Sequence, residues 1–165
     1  MRDLQLKALP IPVDSVNGLD LDTLAGALRK TKISACVLIP NFQNPVGSLM
    51  PEARKRALID LLVPRGIPII EDDIYGDLQH QGSRPRCLKA FDPDGSVLLC
   101  GSFSKTLAPG YRVGYIVGGR WQERLLRLKK NSSLANATLP TLAVAEFLKH
   151  GGYDRHLRTL PQAYR

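Results

Sequence analysis

The segment GSFSKTLAPGYRVG, residues 101–114, carries residue types that suit a phosphate and a carbonyl group at one place. Ser102 and Ser104 precede Lys105, and Arg112 follows the lysine by seven residues. Hydroxyls, turn amides and a guanidinium together suit a phosphate. A lysine held among them is a candidate to form a Schiff base with a carbonyl cofactor. A solvated Ser/Lys loop is the alternative interpretation.

Two further segments place polar groups in patterns that are typical of ligand sites. In PNFQNPVG, residues 40–47, Asn44 precedes a proline, so its backbone is biased to an extended conformation. In IIEDDIYGD, three consecutive acids would repel one another unless cations or donors compensate them, and one carboxylate could face a cationic ligand group. Tyr75 lies three residues after Asp72, so one turn could bring the phenol and the carboxylate to the same ligand. An ordinary Asn-Pro turn and a solvated acidic loop are the alternatives.

The three segments together supply four complementary groups. They are an acid for a pyridinium nitrogen, a phenol and an amide for a phenolate oxygen, a lysine for an aldehyde, and a Ser/Arg cup for a phosphate. Pyridoxal phosphate requires this combination. All four features in one chain arise by chance much more rarely than any one of them does.

The elements that must position these segments are predicted as buried strands and helices. Four apolar runs predict strands at residues 35–39, 67–70, 97–100 and 112–118, and helices separate or follow them. This pattern predicts an α/β fold with a mostly parallel sheet flanked by helices. In such sheets ligands bind beyond the carboxyl ends of the strands. Because each polar segment follows one of the first three strands, we expect one site at that edge.

Helix signals flank the predicted strands. Asp20 can cap a helix whose apolar positions fall on one face, and Pro51 suits the first turn of the next helix. After the last strand, the pattern predicts helices at residues 122–130 and 139–150 and another from Tyr153 onward.

The composition is that of an ordinary globular chain. The 165 residues suit about one domain, and 44% hydrophobic with 23% charged residues excludes wholesale disorder, collagen-like repeats and coiled coil. No apolar run approaches the about 18 residues of a membrane span, and the amino terminus does not look like a secretory signal. Three widely spaced cysteines without a CxxC pattern predict reduced thiols in a cytoplasmic protein. They form no ligand pattern with the histidines, so we expect no metal.

The net charge of +8 comes entirely from residues 101–165, which hold eleven basic and three acidic groups. Such a basic part can mark a nucleic-acid partner, an acidic ligand or a surface that faces a missing partner. On a helix, Trp121, Leu125 and Leu128 would face inward and leave the charges solvated, and no DNA- or RNA-reading motif is visible. The densest basic stretch is Arg120, Arg124, Arg127, Lys129 and Lys130.

The motifs and their spacing resemble the fold-type I pyridoxal-phosphate enzymes of the class I/II aminotransferase family. The matching elements are the NPxG loop that begins at Asn44, the D-x-x-Y element from Asp72 to Tyr75, and the S-x-S-K segment that ends at Lys105. The segments EDDIYGDL and SFSKTLAPGYRVGY look especially like the aminotransferase-like domain of MocR-type regulators. In those regulators this domain is joined to a GntR-type winged-helix domain. The aminoadipate/kynurenine-type aminotransferases are similar enough to remain an alternative.

The resemblance implies a role for each matched residue. Lys105 would form the internal aldimine and, in a transaminase, shuttle the proton between the substrate α-carbon and the cofactor. Asp72 would keep the pyridine nitrogen protonated, and Asp73 and Glu71 would be supporting or structural acids. Depending on the turn, Ser104 would face the same anion as Ser102 or point away from it. The remaining implied contacts are Tyr75 and Asn44 to the ring oxygen, and Ser102, Ser104 and Arg112 to the phosphate.

The resemblance also implies that residues 1–165 are the middle of a family large domain. The family places a glycine-containing phosphate loop and a ring-stacking aromatic upstream, and a small domain with the arginine that binds the substrate carboxylate downstream. Neither these nor a winged-helix domain is in the sequence, so DNA contacts would come only through an absent amino-terminal domain. We expect a homodimer for the full-length protein, because the family's active sites lie at a dimer interface, and we expect no membrane partner.

Three functional hypotheses follow from the resemblance. The first is an aminotransferase that moves an amino group between an amino acid and a 2-oxo acid. The second is the effector domain of a MocR-type transcription regulator that senses pyridoxal phosphate or its amino-acid adduct. The third is a truncated, inactive remnant without cofactor.

Overall fold

The computed structural model describes residues 5–79 and 82–163, and its main sheet has four strands. A short antiparallel hairpin, β1 (Val13–Asp14) with β2 (Gly18–Leu19), precedes this sheet. The main strands follow in chain order: β3 (Cys36–Leu38), β4 (Ile69–Asp72), β5 (Val97–Ser102) and β6 (Gly114–Val117).

The sheet has the order β3-β4-β5-β6, with β3, β4 and β5 parallel and β6 antiparallel to β5. This confirms the predicted α/β fold with a mostly parallel sheet. The connection between β5 and β6 is too short for the crossover that a parallel strand needs, so β6 returns in the opposite direction. The register pairs Asp72 with Cys100 and Ser102 with Gly114.

Among the described residues, five α-helices flank or follow the strands. Asp20 caps α1 as predicted, since its carboxylate accepts the backbone N–H groups of Asp22 and Thr23 at 3.0 Å each. None of the described helices is long and apolar enough to cross a membrane. The helices are α1 (Leu21–Lys30), α2 (Glu52–Leu62), α3 (Gln122–Ser133), α4 (Thr138–Lys149) and α5 (Gly152–Ala163).

The hydrophobic core lies between the sheet and the first two helices. Its members come from α1, α2, β3, β4 and β5 and from the segments that connect them. Burial of each large aliphatic side chain contributes about 1.5–3 kcal/mol, which holds the strand ends in register. The fully buried members are Leu58, Leu62, Ile69, Leu88 and Val97.

The sheet edge at β6 and the face of α3 are exposed, and this corrects one sequence prediction. Leu128 was expected to face inward, but it is 56% exposed. All residues of β6 are exposed as well, so the described part of the chain provides little for α3 to pack against. The basic residues of α3 therefore lie on a helix that is solvated on more than one side.

Candidate functional site

Two predicted site residues occupy the last positions of neighbouring parallel strands. Asp72 ends β4, and Ser102 ends β5. Because the two strands run in the same direction, their carboxyl ends meet at one edge of the sheet. The loop after β3 joins this edge, where Met50 N–H donates to the Pro40 carbonyl at 2.8 Å and closes the loop. The fold thus gathers all three predicted segments at one edge.

Asp72 has a buried carboxylate oxygen at this end of β4. Its Oδ1 is buried and has no hydrogen-bond partner among residues 5–79 and 82–163. Burial raises the pKa of Asp72 above its usual value of 3.8; the Ile74 backbone N–H opposes the rise and the charge of Asp73 adds to it. A buried polar atom without a partner is costly, and a carboxylate is more costly than a neutral group. The oxygen therefore suits a donor, above all a cationic N–H, from a ligand.

The structure brings together Asn44 and Tyr75, which lie far apart in the sequence. The Asn44 amide nitrogen donates to the Tyr75 hydroxyl at 3.3 Å. The Asn44 loop is itself fixed, because Gln43 N–H donates to the Ser48 carbonyl and Val46 N–H donates to the Gln43 side chain, each at 2.9 Å. The structure thus places the phenol and the amide next to each other.

Ser102, Ser104 and Arg112 form a small polar cup after β5. The Ser102 hydroxyl donates to the Ser104 hydroxyl at 3.0 Å, and the Ser104 backbone N–H donates to the Ser102 oxygen at 3.1 Å. The turn therefore brings Ser104 to the same side as Ser102, which decides between the two orientations left open above. The Arg112 guanidinium reaches Ser104 at 3.5 Å and the Pro109 carbonyl at 3.3 Å. Two hydroxyls under one exposed guanidinium suit an anion.

Lys105 lies on a tight turn between the cup and the protein interior. The Phe103 carbonyl accepts the N–H groups of Leu107 at 2.8 Å and Ala108 at 3.1 Å, which closes the turn around the lysine. Lys105 is exposed, whereas the next residue, Thr106, is 2% exposed. Lys105 is therefore accessible to solvent on this turn.

Asp73 belongs to a buried network that sequence reasoning missed. Asn41 donates to Asp73 Oδ1 at 2.8 Å, and Arg84 donates to Asp73 Oδ2 at 2.6 Å. Lys55, although on a helix, is 1% exposed and donates to Asn41 at 2.6 Å. The signal was present, since a lysine at position 55 shares the inward helix face with the leucines at 58 and 62. Both carboxylate oxygens of Asp73 therefore have protein partners, whereas Asp72 Oδ1 has none among the described residues.

Gly76 has no side chain, and the paired groups of Asp73 and Arg84 occupy the space that a Cβ would fill. A Cβ at position 76 would lie 2.7 Å from Asp73 Oδ1 and 2.9 Å from the nearer Arg84 nitrogen. Gly76→Ala is expected to lower the free energy of unfolding by about 1–3 kcal/mol, because the paired groups must shift. Denaturant unfolding measures the effect, with Gly110→Ala as control, since a Cβ at position 110 meets nothing within 4 Å. Equal stability of both variants would contradict the packing described.

Glu71 is fully buried and holds the connection that precedes β5. Its carboxylate accepts the backbone N–H groups of Leu88 and Lys89, the latter at 2.8 Å. Burial raises the pKa of Glu71 from its usual 4.5 to about 7, although both backbone hydrogen bonds oppose the rise. This carboxyl group is structural, as the sequence resemblance implied.

The raised pKa of Glu71 predicts a pH-dependent stability. Between pH 4.5 and about 7 the native state holds a proton that the unfolded chain has lost, so the free energy of unfolding falls as the pH rises through this window. The slope from one proton is at most about 1.4 kcal/mol per pH unit. Glu71→Gln removes this contribution, which denaturant unfolding at several pH values detects. The control is Glu146→Gln, because the Glu146 carboxylate is exposed and pairs with His150. If the free energy of unfolding of Glu71→Gln kept the same slope against pH as that of the wild type, the assignment would be refuted.

Comparison with known proteins agrees with this geometry. The sequence matches the family model described as aminotransferase class I and II over residues 2–163. It is 42% identical over 164 residues to the HTH-type transcriptional regulator YjiR of Escherichia coli K12. This alignment covers 99% of this chain and 35% of that protein. It is 33% identical over 161 residues to aromatic-amino-acid aminotransferase 1 of Thermococcus litoralis, with 94% of this chain and 38% of that one covered.

A solved structure is similar over the same length. The α-aminoadipate aminotransferase LysN of Thermus thermophilus, complexed with N-(5′-phosphopyridoxyl)-L-leucine, superimposes with a TM-score of 0.87 at 32% identity, covering 96% of this chain and 41% of that one. The chain thus spans well under half the length of these relatives. The match over nearly all of its residues confirms the predicted resemblance to both aminotransferases and regulators. The chain belongs to the aminotransferase class I and II family.

Proposed function

We propose that this chain binds pyridoxal 5′-phosphate and, in the full-length protein, transfers an amino group between an amino acid and a 2-oxo acid. One observation carries the proposal: Asp72 Oδ1, a buried carboxylate oxygen with no hydrogen-bond partner among the described residues, lies at the same sheet edge as the cup of Ser102, Ser104 and Arg112. A pyridinium N–H and a phosphate are complementary to these two features. The family match, and the phosphopyridoxyl ligand of the similar solved structure, support the same cofactor.

The residues present fit each part of this cofactor. Asp72 would face the pyridine nitrogen, and its Oδ1 would gain the donor that the described residues do not provide. Tyr75 and Asn44, already in contact, would both reach the ring oxygen. Lys105 would attach to the aldehyde, and the hydroxyls of the cup together with Arg112 would hold the phosphate. Each assignment agrees with the chemistry of the donor set and stays a prediction.

The proposed reaction assigns proton-handling and binding tasks to these side chains. When bound, the cofactor supplies an electron sink for the pair released at the substrate α-carbon. Asp72 holds a proton on the ring nitrogen, because a neighbouring carboxylate favours the cationic form. Lys105 Nζ would take the proton from the substrate α-carbon and deliver it to the former aldehyde carbon of the cofactor. Tyr75 and Asn44 donate hydrogen bonds to the ring oxygen and orient the ring.

A second function is favoured by a specific observation. Relatives at 42% and 38% identity, YjiR and YdcR of Escherichia coli K12, are HTH-type transcriptional regulators. In this alternative the same site senses pyridoxal phosphate or its amino-acid adduct, and DNA is bound through a separate domain. Amino acids and 2-oxo acids as ligands, a homodimer and a cytoplasmic location belong to the proposal in either form. So does the assignment of residues 1–165 to the central part of a large domain.

One experiment separates these functions. The full-length protein is loaded with pyridoxal 5′-phosphate and mixed with a panel of amino acids, and formation of 2-oxo acids and of pyridoxamine 5′-phosphate is followed. Formation of both supports the aminotransferase. Covalent loading without exchange, combined with an amino-acid-dependent change in DNA affinity, supports the sensor. Absence of covalent loading would leave only the inactive remnant and refute both proposed functions.

A further inference from the structure

Two side chains of α5 hold Thr106, the residue that follows Lys105. The Tyr153 hydroxyl donates to the Thr106 hydroxyl at 2.8 Å. The His156 Nε2 lies 2.8 Å from the Thr106 carbonyl oxygen, so this nitrogen carries the proton and donates. One contact fixes the side chain and the other fixes the backbone of the same residue. Thr106 is buried, so neither contact is readily replaced by water.

The rings around these contacts support α5 in this place. The Phe103 ring packs edge-on against Tyr153, with 5.5 Å between ring centroids, and it contacts Tyr115 of β6 at 6.0 Å. His156 packs against Phe147 of α4 at 6.3 Å. Burial raises the pKa of Tyr153, which keeps its phenol a donor across the neutral range. The helix is therefore seated on both residues that anchor the lysine turn, Phe103 and Thr106.

Lys105 lies between two anchored neighbours. Ser104 on one side is held by the Ser102 hydroxyl, and Thr106 on the other side is held by α5. A lysine carries a long flexible side chain, so the direction of its backbone decides which volume the amine can sample. Removing either anchor widens that volume and lowers the fraction of time the amine spends at one reacting position.

We propose that Tyr153 and His156 are positioning residues for Lys105, acting through Thr106 from a helix that begins 47 residues after the lysine. This inference rests on the proposed function, because it concerns the attachment of pyridoxal phosphate to the lysine. It assigns to α5 a task beyond packing: it sets the effective concentration of the lysine amine at the carbonyl group of the cofactor.

The test is a double-mutant cycle on the full-length protein, with pyridoxal 5′-phosphate as the probe. Tyr153→Phe removes one hydroxyl and keeps the ring that packs on Phe103, and His156→Leu removes the donor to Thr106. Each is expected to raise the dissociation constant of the cofactor about fivefold, the usual effect of one lost hydrogen bond. In a Lys105→Ala background, where no covalent attachment forms, each change is expected to have less than about a twofold effect.

Two controls keep the interpretation unambiguous. His156→Gln retains a donor near the position of Nε2 and is expected to restore affinity, whereas a merely structural role for the ring would not be restored by an amide. His150→Leu changes a histidine whose side chain is 71% exposed and is expected to leave the dissociation constant unchanged. The midpoint of thermal unfolding, measured for every variant, reports any loss of fold.

The outcomes separate this inference from the proposed function. An equal loss of affinity with and without Lys105 would show that α5 acts only on the fold, and no loss in either background would show that Thr106 needs no anchor; each overturns the inference. A wild-type protein that forms no borohydride-stable attachment at Lys105 would instead overturn the proposed function. If His156→Leu unfolds the protein, the cycle that combines the milder Tyr153→Phe substitution with Lys105→Ala tests the inference by itself.

Discussion

Lys105→Ala is expected to abolish the borohydride-stable attachment of pyridoxal phosphate completely while leaving the fold unchanged. The amine is the only part of residue 105 that can bond to the aldehyde, and Lys105 is exposed on its turn. Substitutions of exposed residues usually change the free energy of unfolding by no more than about 0.5 kcal/mol. Reduction of the loaded full-length protein, digestion and mass spectrometry identify the modified peptide, and denaturant unfolding reports the stability.

A matched control distinguishes a specific attachment from random modification of lysines. Lys130 is exposed on α3, far along the chain from the predicted site. Lys130→Ala is expected to retain the attachment in full. Retention of the attachment in Lys105→Ala, at any other lysine, would refute the assignment of the reactive amine. Loss of the attachment together with loss of the folded state would be resolved by Lys105→Arg, which keeps the charge but cannot form the bond.

The second large effect is expected from Asp72→Asn. Removal of the charge that would face the ring cation of bound pyridoxal phosphate costs about 3–5 kcal/mol, which corresponds to a fall in amino-group exchange on the order of 10²–10⁴-fold. The stability of the cofactor-free protein should not fall, because the buried Oδ1 has no partner among the described residues and a neutral amide is cheaper to bury than a carboxylate. Exchange kinetics and denaturant unfolding measure the two effects on the same variant.

The neighbouring acid provides the control. Asp73→Asn breaks the contact with the Arg84 guanidinium and is expected to lower the free energy of unfolding by about 1–2 kcal/mol, a modest value because Arg84 is partly exposed. The two adjacent substitutions should therefore affect different properties: activity at position 72 and stability at position 73. A stability loss in Asp72→Asn as large as that in Asp73→Asn would contradict the observation that Asp72 Oδ1 has no hydrogen-bond partner among the described residues.

The parts of the site that were predictable are those that local sequence rules control. Continuous apolar runs predicted the strands, and the rule for parallel sheets predicted that polar residues after strand ends would meet, which the positions of Asp72 and Ser102 confirm. The orientation of Ser104 was not predictable, because it depends on how the turn after β5 closes. That closure is set by hydrogen bonds to the Phe103 carbonyl that no spacing rule specifies.

The supporting contacts could not be predicted, because they join distant parts of the chain. Asp73 meets Asn41 and Arg84 only after β3, β4 and the connection before β5 have assembled. Thr106 meets Tyr153 only after two further helices have folded back. The prediction that Leu128 faces inward was wrong for the same reason, since helical periodicity identifies an apolar face but not whether another element covers it.

The antiparallel return of β6 has a mechanical consequence. The turn that carries Lys105 and the polar cup both belong to the hairpin of β5 and β6, whose register pairs Ser102 with Gly114. Asp72 is instead the last residue of β4 and Tyr75 follows that strand, whereas Asn44 lies in the loop after β3. The site is thus two half-sites that meet at the boundary between β4 and β5. Sliding of those strands past each other would change the distance between the acid and the amine while leaving each half-site intact.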